Sequence, residues 1–242
     1  LNKIRLNPEQ IDYYDQEITY GEAGRRPVLK IGQTRMVSVS CWWDPAFGQA
    51  GGDNSVVAVL FSDNEGYYYL HDLLYIRLSD EINGRDQDIA ALQCGRVCEI
   101  IKRYGLHAIT VESNGLGRFL PAILRKTARA QGMQIAVSEH HSRRSKKDRI
   151  LSAFDVVLAG NLLRAHARIK ATPFAREMRE WSPLNANGRD DGLDAVACAI
   201  LSEPVRIGSR SVIAGGSSKA TQPRIAWQGS GRTFDLDTDF DL

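Results

Sequence analysis

MVSVSCWWDPAFGQAGGDNSVVAVLFSDNEGYYYLHDLLYIR, residues 36–77, decides the fold. Its first part, Met36 to Trp43, alternates and is rich in β-branched and aromatic side chains, as a strand with two different faces must be. Pro45 and the glycines at 48, 51 and 52 break that run. Residues 55–61 (SVVAVLF) form a second apolar run, Asp63-Asn64-Glu65-Gly66 a turn, and residues 67–77 a third run. Connections this short join neighbouring strands, so the three runs predict an antiparallel meander.

Outward from this stretch the period changes. Residues 85–104 place Ile89, Leu92, Val97, Ile100 and Ile101 near helical spacing, and Gly105 ends the run. His107 to Glu112 reads as a fourth strand, residues 117–131 as a helix closed by Gly132, and residues 134–138 as a fifth strand. Helices follow over residues 147–159, 173–181 and 191–201. The order β-β-β-α-β-α-β-α-α-α predicts an α/β fold: a mixed sheet of three antiparallel strands followed by parallel strands, with helices on both faces. Residues 1–35 are polar and glycine-containing and read as a lead-in segment or linker. Residues 36–203 form the domain. Residues 204–242, rich in Gly, Ser and Thr and ending in alternating acidic and apolar residues, read as a flexible tail.

Composition bounds the function class. The 242 residues carry a net charge of only +2, so a nucleic-acid partner must be argued from local charge. Cys41, Cys94, Cys98 and Cys198 form no CxxC pair, which favours reduced, buried thiols over a zinc site. No apolar run is long enough to span a bilayer, and no signal peptide is visible. A cytoplasmic protein is expected. The chain begins with Leu1, as a piece of a longer protein would.

Carboxylates mark the candidate site. Asp44 directly follows the first strand, where sheet enzymes place reactive groups; its bland reading is a turn aspartate before proline. Glu112 closes the fourth strand, a costly place for a carboxylate that binds nothing; its bland reading is a surface glutamate. Asp190, Asp191 and Asp194 lie in GRDDGLDAVA at the start of the last helix, with Asp191 and Asp194 neighbours on one face. Capping and the helix dipole explain one or two of these acids, but three repel one another unless a cation offsets them. Mg2+ or Mn2+ prefers such oxygens, and two ions about 3.5–4 Å apart can activate water and stabilise a leaving oxygen. The acids converge if the fourth strand lies beside the first.

A basic run, Arg143, Arg144, Lys146, Lys147 and Arg149, follows the fifth strand beside His140 and His141. A charge run is usually a solvated face. Here it falls at the site's end of the sheet if strands four and five are parallel, where it would hold DNA phosphates. Lys146 is the first candidate for a residue near the scissile phosphate, and Arg118 is a weaker DNA contact. Trp42 and Trp43 read as packing residues on opposite sides.

WWDPAFGQAGGDNSVVAVL, ITVESNGLG, SRRSKKDRI and GRDDGLDAVACAI, in this order, resemble the RNase H-like (retroviral integrase) superfamily. More narrowly, they resemble the C-terminal nuclease domain of the large terminase subunit of tailed bacteriophages, over about residues 36–203. The resemblance implies that Asp44, Glu112 and Asp191 are catalytic metal ligands, with Asp190 and Asp194 as further candidates for the third place. It implies an RNase H-like endodeoxyribonuclease that uses two Mg2+ or Mn2+ ions to cut concatemeric double-stranded viral DNA during genome packaging, in the host cytoplasm. Expected partners are DNA, a packaging ATPase domain, a small terminase subunit and a portal. The chain has no GxxxxGK[ST] loop, so it resembles the nuclease part alone. Asp53 matches a family position, and a turn role is the expectation for it. Two alternatives stand: another RNase H-like nuclease of the junction-resolvase or transposase type, and a non-catalytic DNA-binding assembly module whose acids are held by a salt bridge to Arg189.

Overall fold

A computed structural model describes residues 6–23, 26–46, 54–76, 89–184 and 189–207. The meander is present as β5 (Ser38–Asp44), β6 (Ser55–Ser62) and β7 (Tyr68–Ile76), each antiparallel to the next. Before it come β1 (Asp12–Tyr14), β2 (Ile18–Ala23), β3 (Arg26–Ile31) and β4 (Thr34–Arg35). After it come α1 (Ile89–Arg103), β8 (Ala108–Glu112), α2 (Leu120–Ala130), β9 (Ala136–His140), α3 (Lys146–Ala159), β10 (Leu163–His166), α4 (Phe174–Glu180), α5 (Asp191–Leu201) and β11 (Val205–Arg206).

The main sheet runs β1-β10-β7-β6-β5-β8-β9, and β11 also pairs with β5. The expected strand neighbours are there. β8 lies parallel to β5, with Trp43 opposite Val111, and β9 lies parallel to β8, with His140 opposite Glu112. The ends of β5, β8 and β9 therefore share one edge of the sheet.

Alternation sorts the side chains into two cores. Trp42, Val56, Ala58 and Leu60 pack on one face with α3, α4 and α5. Trp43, Val57, Val59 and Phe61 pack on the other with α1 and α2. Neighbouring tryptophans thus point to opposite faces, as the period of a strand requires. Helix α5 is buried from Asp191 to Ala199, apolar on nearly every side because it lies between the sheet and α3. All four cysteines are buried and unpaired. No helix among the described residues is long and apolar enough to cross a membrane.

Two regions differ from the expectation. Residues 6–23 and 26–35, within the stretch read as a lead-in or linker, are folded onto the domain. β1 extends the sheet beyond β10, β2-β3-β4 form a second small antiparallel sheet, and Leu6, Ile11, Leu29 and Ile31 are core residues. The expected tail begins with β11, antiparallel to the start of β5. Residues 208–242 and Asp53 lie outside the described residues.

Candidate metal and nucleic-acid site

Asp44 ends β5, Glu112 ends β8, and Asp194 lies in the first turn of α5. One carboxylate oxygen of each lies within 4.8 Å of the other two. Parallel pairing of β5 and β8 brings the first two to one edge, and packing of α5 against β5 and β6 supplies the third. Gly117 crosses beside them: a side chain there would press within 3.3 Å of both the Glu112 carbonyl and Pro45. The small residues after Glu112 thus allow the turn to close over the strand ends.

The third corner is Asp194, whereas the sequence ranked Asp191 first. Asp191 is occupied elsewhere. Its Oδ2 accepts the backbone N–H of Asn54 at 2.8 Å and the Asn54 side-chain amide at 3.1 Å, while its Oδ1 accepts Lys146 Nζ at 3.1 Å. Asp190 also pairs with Lys146, at 2.7 Å. Asp190 stands at the N-cap of α5, but neither aspartate side chain makes a capping hydrogen bond. That role falls to Glu177 of α4, whose Oε2 accepts the Leu193 N–H at 3.1 Å and whose Oε1 accepts Tyr75 O–H at 2.9 Å. A buried carboxylate from another helix thus satisfies orphan donors of the first turn. Asn54 and Glu177 escaped the sequence reading because both act across long sequence separations, with no local motif.

The basic run divides by helical spacing. Ser145 caps α3 by accepting the Asp148 N–H, which starts the helix at Lys146. Lys146 and Arg149 then share the face turned toward α5. Arg149 Nε donates to Asp194 Oδ1 at 2.9 Å, its second terminal nitrogen donates to Asp194 Oδ2, and its Nη1 lies 3.5 Å from Glu112 Oε1. Lys146 and Arg149, expected as phosphate contacts, are therefore bound to carboxylates, while Arg143, Arg144, Lys147 and Arg118 remain exposed. Arg149 is set against Asp194 and Glu112, and Lys146 also acts on Asp44 and Asp194; Arg189 is exposed. Arg143, Arg144 and Arg149 line an open groove of about 940 Å³ together with Trp42, His140 and Leu201. His140 stacks edge-on against Trp42, and His141 Nδ1 lies 3.0 Å from Ser113 Oγ.

Electrostatics suit a cation. Burial and the neighbouring Glu112 and Asp194 push the Asp44 carboxyl well above the usual carboxylate range. Burial also raises Asp194, against the lowering pull of Arg149. Burial works to lower Lys146, but Asp190 and Asp191 hold it above its ordinary value. Asn114 donates to Glu112 Oε1 at 2.7 Å, whereas Glu112 Oε2 is buried without a hydrogen-bond partner. Clustered carboxylates, one with an orphaned oxygen, form a hard-oxygen donor set that fits Mg2+ or Mn2+.

Residues 41–203 match the family model described as the Terminase RNaseH-like domain. The chain belongs to that family. No curated protein matches it. Among solved structures, this terminase RNase H-like domain is similar to the human cytomegalovirus terminase nuclease domain, Mn soaked and inhibitor bound. That similarity has a TM-score of 0.50 and 15% identity, covering 81% of this chain and 88% of that one. The nuclease domain of the large terminase subunit gp2 of bacterial virus Sf6 aligns with a TM-score of 0.47 and 10% identity, covering 69% and 89%. The yeast mitochondrial Holliday junction resolvase aligns with a TM-score of 0.44 and 14% identity, covering 66% and 76%. The RNase H-like fold expected from the sequence is the fold observed.

Proposed function

We propose that this domain is a divalent-metal-dependent endonuclease that cleaves double-stranded DNA by two-metal-ion hydrolysis, as the cutting component of a viral genome-packaging terminase. The observation that carries this reading is the convergence of Asp44, Glu112 and Asp194 from three separate elements, their ligand oxygens within 4.8 Å. When bound there, Mg2+ or Mn2+ would supply an activated water and charge stabilisation for the leaving 3′ oxygen. The protein's own part is to hold the oxygens. Asn114 orients Glu112, while Asn54 and Lys146 anchor Asp191 and so fix the rotation of α5 that aims Asp194 inward. Arg143, Arg144, Lys147 and Arg118, exposed on the loop before β-sheet-facing α3, on α3 itself and on the turn after Glu112, would hold phosphates without reading sequence. A packaging ATPase, a small terminase subunit and a portal are the partners this role calls for.

Plasmid DNA with Mn2+ or Mg2+ tests the proposal. Asp44→Ala and Asp194→Ala are expected to lose cutting by roughly a hundredfold or more, and Asp191→Asn by about 10–100-fold at most, as for a residue that orients a ligand. Undiminished cutting by Asp44→Ala, or cutting without metal, would overturn it. One observation favours a second reading, the non-catalytic DNA-binding module: Arg149 already neutralises two of the three acids. Failure of the protein to bind Mn2+ both with and without DNA would decide for the module.

A further inference from the structure

The acid cluster is lopsided. Arg149 grips both oxygens of Asp194 and approaches one oxygen of Glu112. On the other side, Glu112 Oε2 is buried without a hydrogen-bond partner, and the Asp44 carboxyl lies beside it with the charge of Lys146 acting on it. Glu112 Oε2 is thus free to accept a cation, while the Asp194 side is filled by a guanidinium. A divalent ion on Asp194 and a guanidinium on the same two oxygens repel each other, so full occupancy by either excludes the other.

Arg149 has somewhere else to go. It lines the open groove that Arg143 and Arg144 also line, and its Nη1 lies 3.3 Å from the Arg144 carbonyl. It stands two residues after exposed Lys147 on the first turns of α3. A phosphate drawn into that groove by the exposed cations would lie beside Arg149 and offer it a second anionic partner.

Resting on the metal-nuclease reading above, we infer that Arg149 is an exchangeable counter-ion. In the DNA-free domain it occupies the Asp194 side of the site, and it moves to a DNA phosphate when a second metal ion is taken up. Metal binding and DNA binding are then linked, each tightening the other by the same factor.

The experiment is a titration of the whole chain with Mn2+, followed by the electron paramagnetic resonance of free Mn2+, with and without a short DNA duplex in the cold. Wild type, Arg149→Gln and Arg149→Lys are compared. Without DNA, Arg149→Gln is expected to bind Mn2+ about tenfold more tightly than wild type, and Arg149→Lys to stay near wild type. The duplex is expected to tighten Mn2+ binding to wild type by a similar factor and to change Arg149→Gln little. Equal or weaker Mn2+ binding by Arg149→Gln would make Arg149 a fixed structural pin and overturn the inference, leaving the metal-nuclease reading standing. If Arg149→Gln does not fold, the wild-type titration alone decides: no tightening by the duplex overturns the exchange. Absence of Mn2+ binding in every sample, with or without DNA, sinks the metal-nuclease reading itself.

Discussion

Gly192, the second residue of α5, shows how closely the site is packed from behind. A Cβ added there would lie 1.8 Å from the Tyr75 hydroxyl oxygen and 2.9 Å from Glu177 Oε2. The glycine is required for space. Tyr75 and Glu177 occupy that space because they close a buried hydrogen bond whose other carboxylate oxygen caps the helix, and burial pushes Glu177 up to about 7. Gly192→Ala must therefore separate the cap from the helix or shift the helix between Asp191 and Asp194. The expected loss is about 1–3 kcal/mol, as for other overpacked cores, read as a fall in the thermal midpoint together with weaker cutting. An unchanged melt would show that Tyr75 moves aside at no cost. The same few residues show what local sequence leaves undecided. Spacing places Asp191 and Asp194 on one side of a helix, but the rotation that turns Asp194 to the strands is set by Asn54, Lys146 and Glu177, which lie elsewhere in the chain.

At the scale of elements, legibility followed length and period. β5, β6 and β8, helices α1 to α5 and the parallel placement of β8 and β9 were readable, because long apolar patterns and short connections leave few arrangements. β1, β4, β10 and β11 have two to four residues each, too few to show alternation, and are strands only because a neighbour pairs with them. β2 and β3 are longer, but glycine, proline and charged residues obscure their pattern. β7 was readable as a strand but not in its register. Val59 pairs with Asp72 and Leu60 with Leu70, so His71 is the extra residue of a bulge, and the inward face changes parity there. The strands before residue 36 carry a prediction. Leu6, Ile11, Val28, Leu29 and Ile31 are buried, and each buried apolar side chain contributes about 1.5–3 kcal/mol. Their sum is comparable with a whole domain's margin of roughly 5–15 kcal/mol. A chain starting at Met36 is expected to lose cooperative unfolding in calorimetry. A truncated chain that melts as the full chain does would show that residues 1–35 are a dispensable attachment.

Among the described residues, buried ionisable groups gather on both sides of the main sheet. The ends of β5 and β8 hold the acids, and the β7-β10-β1 side buries the bulge residue His71. Its ring is fully enclosed, with Nδ1 3.0 Å from the Tyr14 hydroxyl and Nε2 3.5 Å from Glu17. Arg168, His166 and Asp72 also face it, and Arg168 ties Glu17 to the Tyr104 hydroxyl. This network fastens residues 12–17 to the end of α1 and to β10, so it holds the added edge strand onto the domain that bears the acids. Burial, then the Arg168 charge, lowers His71 from about 6.5 to about 3. The sign follows directly. The unfolded chain takes up a proton on this histidine as pH falls below about 6.5, whereas the folded chain does so only near 3, so the stabilisation is complete above about 6.5 and is lost progressively below it. By pH 5 the loss amounts to about 2 kcal/mol. Urea unfolding of wild type and His71→Phe at pH 7.5 and pH 5 isolates this contribution, since the other titrating groups are common to both. Wild type is expected to lose about 2 kcal/mol more than the variant over that interval. Parallel losses in the two proteins would mean that His71 charges within the fold, and that the bulge corner opens before the rest of the sheet does.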